Sequence, residues 1–303
     1  MGQQRSMAES EAPMVSISVT AYQHAPYLAE CLDSILMQEC PFRYEVLLGE
    51  DDSSDGTRAI AQRYAGAHPD RIRLFLHRRD QMIRIDGRPT GRFNFLNNLR
   101  HATGRYLCHL DGDDAWTHPL RLRRMVERME AEPELSMAFH NAMNAWDDGR
   151  EAPFLDAAET KPRFGLPELM VRNFVPTSGA IWRWQGPQAI PEALYHAPFG
   201  DWALNTHFAL RGPIGYVDGC WSHRRVHTGG AMSTLDELGT MRGIALAYEV
   251  MLEQVRRPLV PGAVQRWSLQ VIRGFEKALR AGDREHARWF LAHAAAVPQG
   301  NIP

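Results

Sequence analysis

Apolar and polar positions recur along the first half of the chain with two periods, and each period predicts a different element. Val15, Ile17 and Val19 alternate with Ser16 and Ser18, which predicts a strand over 14–19. Pro26 stands at a favoured first-turn position for a helix, and Leu28, Cys31, Leu32 and Ile35 follow on one stripe. A second strand is expected over 44–48. The next helix carries Ala59, Ile60, Arg63 and Tyr64 and is capped by Ser54 or Asp55. A third strand over 72–76, a helix over 94–102 broken by Gly104, and a fourth strand over 106–110 complete the run. Pro119 then opens a helix with Leu122, Met125, Val126 and Met129 on one side; it stops before Pro133 and is followed by a strand over 135–139.

Strand and helix alternating in this way predict an α/β fold whose mostly parallel sheet is covered on both faces. From 146 to 176 the periodicity dissolves, so this stretch is expected to be partly structured and mobile, near a site. Order returns with Ala180-Ile181-Trp182-Arg183-Trp184, a short helix over 200–210 and a last strand over 215–220. A basic, His- and Gly-containing loop is expected over 222–233. Beyond 234 the composition shifts to helix formers, with apolar stripes at Leu246, Val250 and Leu252, at Trp267, Val271 and Phe275, and at Trp289, Phe290 and Ala294. These predict an α-helical C-terminal extension whose stripes are packing faces or membrane anchors.

Composition narrows the function classes. At 303 residues, with 44% hydrophobic and 23% charged residues, the chain has ample material for a core. A formal net charge of −2 offers no basic field for a phosphate backbone, so nucleic acid is not an expected partner. Cys31, Cys40, Cys108 and Cys220 form no C-x-x-C pair and read as free thiols of a reducing compartment. No apolar run approaches the ~20 residues needed to cross a bilayer. Residues 1–13 lack the basic start and apolar centre of a secretion signal, and read as a disordered leader. A cytoplasmic protein is expected, with peripheral contact at the inner face of the cell membrane left open.

The chemistry concentrates where strands stop. The run Tyr106-Leu107-Cys108-His109-Leu110 ends in Asp111-Gly112-Asp113-Asp114. In an open α/β sheet, ligands bind beyond the carboxyl ends of the strands, so these acids point toward a ligand crevice. Three adjacent carboxylates repel one another unless they share a cation. Mg²⁺ or Mn²⁺ suits them, being held by one or two carboxylates with phosphate oxygens and water completing the shell. A surface turn rich in Asp and Gly is the plain alternative, and an Asp-x-Asp phosphatase nucleophile is another.

Three separated segments carry a family resemblance. Val19-Thr20-Ala21-Tyr22, Glu50-Asp51-Asp52-Ser53-Ser54-Asp55-Gly56-Thr57 and Asp111-Gly112-Asp113-Asp114, each after a strand, together resemble the inverting glycosyltransferases of family 2, with the GT-A fold. The likeness continues through Trp116-Thr117-His118-Pro119, Gly200-Asp201-Trp202 and Arg224-Arg225-Val226-His227-Thr228-Gly229-Gly230. It implies a glycosyltransferase domain over 14–232, with a nucleotide-binding half at 14–114 and an acceptor half at 115–232, and leaves 233–303 as the helical extension.

The resemblance also implies roles. Thr20, Tyr22, Glu50, Asp51, Asp111, Gly112 and Asp113 would form the nucleotide site. Asp51 would meet the base ring N–H, which favours uracil or thymine. Asp113, Asp114 and His227 would hold the metal, Arg224 and Arg225 would close on the diphosphate from a loop, and Asp201 would act as general base. Trp182 and Trp202 are candidate acceptor platforms, since sugar faces stack on indole. Asp55 reads as a structural cap.

Two features depart from the family pattern. Glu50-Asp51 stands where two aspartates are usual, and the 79–91 stretch, with Arg84 and Arg88, is longer and more basic. The transmembrane helices and Gln-x-x-Arg-Trp motif of processive members are missing, so transfer of a single sugar is expected. The expected partners are a nucleotide-sugar donor and a glycan or lipid-linked acceptor, in surface polysaccharide synthesis; the C-terminal helices leave a homodimer open. The alternatives are a non-catalytic nucleotide-sugar or glycan binding module, and a phosphatase with Asp111 as nucleophile. The phosphatase reading is weakened by Ala115 and by the chain having only two lysines, Lys161 and Lys277.

Overall fold

The computed structural model describes residues 12–230, 236–255 and 261–295, so most of the expected leader lies outside the described residues. In chain order the elements are β1 (Val15–Ala21), α1 (Leu28–Leu36), β2 (Tyr44–Glu50), α2 (Thr57–Ala67), β3 (Ile72–Leu76), β4 (Arg84–Ile85), β5 (Arg88–Pro89), α3 (Arg92–His101), β6 (Tyr106–Asp111), β7 (Ala115–Trp116) and α4 (Arg121–Ala131). They continue with β8 (Met137–Trp146), β9 (Glu151–Pro153), β10 (Arg163–Phe164), α5 (Leu166–Val171), β11 (Ala180–Arg183), α6 (Gly200–Ala209) and β12 (Ile214–Val226). Three helices follow: α7 (Glu237–Val255), α8 (Pro261–Arg280) and α9 (Arg284–Ala295).

The chain divides into two compact units. The first takes in the described residues of Met1–Arg163 with Val175–Ile190 and Gly212–Arg225; the second takes in Phe164–Phe174, Pro191–Arg211 and the described residues of Val226–Pro303. Two segments from the middle of the chain thus group with the C-terminal helices.

The first unit is built on a mixed sheet in the order β12-β8-β11-β6-β1-β2-β3. The β6-β1-β2-β3 side is parallel, as the strand–helix alternation predicts, whereas β11 runs antiparallel to both β6 and β8. Ser16 and Ser18, which alternate with Val15, Ile17 and Val19 along β1, are as buried as those residues. Helices cover both faces, and the serines are retained because they find partners. Ser16 Oγ donates to Glu45 at 2.6 Å, and Ser18 Oγ lies 3.1 Å from both Asn98 Nδ2 and His109 Nδ1. The apolar stripe of α1 is buried as expected, with Leu28, Cys31, Leu32 and Ile35 inside.

Two expectations are corrected here. Trp182 sits in β11, paired on both sides in the middle of the sheet and 0% exposed. It has no face to offer a sugar. The strand expected over 215–220 runs thirteen residues and contains Arg224 and Arg225, so these arginines belong to a strand rather than to a loop. The aperiodic stretch after Trp146 contains β9, β10 and α5, and begins only after β8 has extended through that tryptophan.

The second unit is helical. Trp202 of α6 donates Nε1–H to Leu169 O at 2.9 Å and meets Tyr248 of α7 edge-on at 5.1 Å. It is 5% exposed, a helix-packing residue rather than an acceptor platform. Among the described residues no helix is long and apolar enough to cross a membrane.

Gly104 shows how tightly the parallel strands are seated. A Cβ there would lie 2.5 Å from Ser16 N and 2.8 Å from Val15 C, both backbone atoms that cannot step aside. Gly104→Ala is therefore expected to lower the unfolding free energy by about 1–3 kcal/mol, measured by chemical denaturation; an unchanged midpoint would contradict this packing.

Candidate active site

The parallel register brings distant segments to one edge of the sheet. Thr20, next to last in β1, is level with Gly49 of β2 and with Asp111, the last residue of β6. Ala21 is level with Glu50. The carboxyl ends of the three strands therefore deliver Thr20, Asp51 and the 111–114 acids to the same side. The turn after β6 is tight: Gly112 N–H donates to Thr20 O at 2.9 Å, and Asp114 N–H to Asp111 O at 2.9 Å. A Cβ at Gly112 would lie 2.9 Å from His24 Nδ1 and 3.0 Å from Thr20 O. The glycine is what lets the acids fold back against β1.

The three carboxylates are treated differently by their surroundings. Asp111 Oδ1 accepts the Thr20 hydroxyl at 3.0 Å and lies 3.1 Å from His109 Nε2. Loss of water works against its charge, but the His109 imidazole, the Thr20 hydroxyl and His24 outweigh this and hold its pKa below the usual range. Asp114 is pushed the other way. Burial raises its pKa well above normal, and the like charges of Asp113 and Asp111 add to that, against the Arg225 N–H and the Arg224 charge. Asp113 keeps 15% of its side chain exposed, 3.6 Å from His24 Nε2.

Arg225 ties this turn to β12. Its backbone N–H donates to Asp114 Oδ1 at 3.0 Å, and its guanidinium reaches Asp113 O, the Glu30 carboxylate at 2.6 Å and the Tyr27 ring at 5.2 Å. Arg224 donates to Asn144 Oδ1 at 3.0 Å. Arg225 is thus already engaged in holding the acids in place.

The donor set fits a hard divalent ion. Asp113 and Asp114 supply one or two carboxylates, and the repulsion that adds to the effect of burial on Asp114 is the kind that a shared cation relieves. Among the described residues no three His, Cys, Asp or Glu side chains form a ligand cluster. His227, the third expected ligand, belongs to the second unit, where its carbonyl accepts Gly230 N–H at 3.0 Å.

At the end of β2 the two acids have opposite fates. Glu50 is 0% exposed, accepts Ser53 N–H at 2.6 Å and is ion-paired with Arg58, which also bonds His77 O at 2.9 Å. That carboxylate is consumed inside the protein, so the expected nucleotide contact of Glu50 is corrected to a structural role. Asp51, 7% exposed, lies within reach of the Asn94 amide and the Arg79 charge instead. Burial, chiefly, raises its pKa to about 6, with the Asn94 amide and the Arg79 charge opposing and Glu50 adding to the rise. Asn94 reaches this place because Gly49 has no side chain; a Cβ would sit 1.7 Å from Asn94 Oδ1.

Tyr22 is 39% exposed, with the Arg79 guanidinium 4.0 Å from its ring centroid. Asp55 behaves as the expected structural group: its carboxylate accepts Thr57 N–H and Ala25 N–H, both at 3.0 Å.

Asp201 lies in the first turn of α6, where the helix dipole favours a carboxylate. The N-cap residue is Phe199, so Asp201 is not merely a cap. Its Oδ2 accepts Asn173 Nδ2 at 2.7 Å, and Asn173 Oδ1 in turn lies 3.3 Å from Asn205 Nδ2. A chain of amides within the second unit thereby orients this carboxylate.

Thr20, Asp51, Asp111, Gly112, Asp113, Asp114 and Arg225 are gathered in the first unit, while Asp201, Trp202 and His227 belong to the second. Sequence reading missed His109, His24, Arg79, Asn94 and Asn173. His109 had a signal, since it sits two residues before Asp111 on the same strand face; Asn173 lay in the aperiodic stretch and had none.

A family model described as Glycosyl transferase family 2 matches residues 16–164. An uncharacterized protein of Mycobacterium tuberculosis (strain ATCC 25618 / H37Rv) is 28% identical over 269 residues, 85% of this chain and 75% of its own length. The succinoglycan biosynthesis protein ExoO of Rhizobium meliloti (strain 1021) is 32% identical over 169 residues, 55% of this chain and 44% of its own. Among solved structures, S. aureus TarS 1-349 in complex with UDP-GlcNAc aligns over 91% of this chain and 90% of that one, with a TM-score of 0.57 and 14% identity. The mannosyltransferase PcManGT of Pyrobaculum calidifontis, in complex with GDP-Man and Mn²⁺, aligns over 97% and 78%, with a TM-score of 0.58 and 18% identity. Those likenesses establish the fold. With the sheet, its acidic strand ends and the family match taken together, residues 16–164 are a glycosyl transferase family 2 domain, and the chain is a glycosyltransferase of GT-A-like fold.

Proposed function

We propose that this glycosyltransferase moves one sugar, with inversion and with a divalent cation, from a UDP- or dTDP-sugar to a hydroxyl of a glycan or lipid-linked acceptor in polysaccharide synthesis. The observation that carries this reading is the common edge to which β1, β2 and β6 deliver Thr20, Asp51 and the 111–114 acids. TarS supports a uridine donor through its complex with UDP-GlcNAc. PcManGT supports the metal through its Mn²⁺, and ExoO supports the polysaccharide setting through its name.

In this reading Asp51 accepts the ring N–H of the base and Tyr22 offers its ring beside it. Asp111, kept ionised by His109 and Thr20, receives the ribose hydroxyls. Asp113 and Asp114 would hold Mg²⁺ or Mn²⁺, which when bound supplies positive charge against the diphosphate as its bond to the sugar breaks. Arg225 keeps the acid turn in shape, which preorganises charge where it develops. The acceptor oxygen attacks the anomeric carbon, its proton passes to Asp201, and the electrons of the broken C–O bond leave with the diphosphate. Asn173 and Asn205 hold the Asp201 carboxylate in one orientation.

Turnover tests the assignment most simply. Asp113→Asn and Asp201→Asn should each lower sugar transfer by about 10²–10⁴-fold with unchanged circular dichroism, in a screen of UDP-, dTDP- and GDP-sugars against glycan and lipid-linked acceptors. Asn173→Ala should fall between them and the parent. Full activity in Asp113→Asn or Asp201→Asn removes that residue from the mechanism.

The pKa of Asp51 gives a second test with a definite sign. Burial favours its protonated form in the folded state, so this group's contribution to stability is intact below about pH 4 and lost as pH rises through about 6. Asp51→Asn should therefore gain stability relative to the parent between pH 4 and pH 8, by about 1–3 kcal/mol. The parent's affinity for UDP-GlcNAc should fall as pH drops through 6, and that slope should vanish in the variant. A parallel slope in both proteins would contradict the role given to Asp51.

A further inference from the structure

We propose that the outer face of α8 and α9 docks the enzyme on an anionic lipid surface. The helix α8 is apolar on two sides. Its inner stripe, Ala263, Trp267, Val271 and Ala278, is buried and forms the core of the helical unit. A second apolar row lies outside it, where Ile272 is 53% exposed and Leu279, one heptad later, is 57% exposed. Leu291 on α9 is also 57% exposed, and Leu269 is 39% exposed. Between the two helices Phe275, Leu279, Ala287 and Leu291 line an apolar cavity of about 400 Å³. Four large aliphatic side chains on one surface are not needed to fold it, and a row of this kind marks an interaction face.

The charges around the row identify the occupant. Residues 261–295 hold six basic and three acidic residues, in a chain whose overall formal charge is −2. Lys277 is ion-paired with Glu237, and Asp283 is taken up by His286 at 2.8 Å, while Glu285 and Glu276, the latter on the same helix face between Ile272 and Leu279, are exposed. Arg273, Arg280, Arg284 and Arg288 are exposed, and none has an ion-pair partner among the described residues. Four unpaired arginines against two exposed acids leave the surface around the apolar row with an excess of positive charge, the arrangement of an element that lies in the membrane interface and attracts anionic headgroups.

A second copy of the chain fits this face poorly. Pairing the face with itself about a two-fold axis would bring the two arginine rims together, and like charges across an interface oppose association. An anionic bilayer accepts both parts at once, with apolar side chains entering the acyl boundary and guanidinium groups meeting phosphate. No helix needs to span the membrane for this. Such docking would hold a transferase beside lipid-linked acceptors, although the proposal stands on the α8–α9 surface alone and is independent of the acceptor.

Co-sedimentation of the full chain with vesicles tests it. Binding to vesicles of equimolar phosphatidylcholine and phosphatidylglycerol should exceed binding to phosphatidylcholine alone by at least about tenfold, and should weaken as salt screens the arginines. The double variant Leu279→Asp/Leu291→Asp should lose at least about tenfold in binding, and Arg280→Glu/Arg284→Glu should lose the preference for the anionic lipid. Both pairs are surface substitutions, and circular dichroism should match the parent. No vesicle binding, binding indifferent to phosphatidylglycerol, or binding unchanged in both variants overturns the proposal. So does a dimer seen by light scattering that the leucine variant breaks while vesicle binding is absent.

Discussion

Three carboxylates at the end of one strand repel each other, and the first unit is built to hold them there nonetheless. The repulsion is managed residue by residue. Asp111 is kept charged by His109 and Thr20, Asp114 is buried and driven toward its neutral form, and Asp113 keeps part of its surface open. Arg225 grips the turn from β12 through backbone and side chain together. This leaves a fixed concentration of negative charge that is unfavourable by itself and favourable once a cation is shared. The proposed affinity for a metal-bound diphosphate rests on that concentration of charge.

The same sheet edge separates two further tasks. Glu50 and Asp51 are adjacent acids at the end of β2, yet one is locked to Arg58 in the interior and the other, 7% exposed, feels the Arg79 charge. One-residue alternation along an extended backbone makes such a division possible, because neighbours point in opposite directions. The glycines contribute by what they lack. Gly49 admits Asn94 and Gly112 admits His24, and in both places a methyl group would meet a polar atom within 3 Å.

Much of this was legible in the chain. The parallel half of the sheet, the α1 stripe and the acidic strand ends all follow from local periodicity and local chemistry. What was not legible depended on partners far away in sequence. Trp182 and Trp202 look alike as exposed stacking platforms and as core residues, and only the neighbouring β6, β8 and Tyr248 decide for the core. Glu50 looks like a ligand until Arg58 is seen bound to it. Arg224 and Arg225 sit among His and Gly residues that read as loop, but pairing extends β12 through them. Asn173 carries no sequence signal, since its role lies in a hydrogen bond to a residue 28 positions away.

Calorimetric titration of UDP into the parent chain and into Asp113→Ala, each with and without Mn²⁺, examines the acid turn directly. The electrostatic account predicts that UDP binds the parent at least about tenfold more tightly when Mn²⁺ is present, because the cation joins two negative partners, and that Asp113→Ala loses this gain. Equal UDP affinity in the parent with and without the ion, or an undiminished gain in the variant, would contradict it.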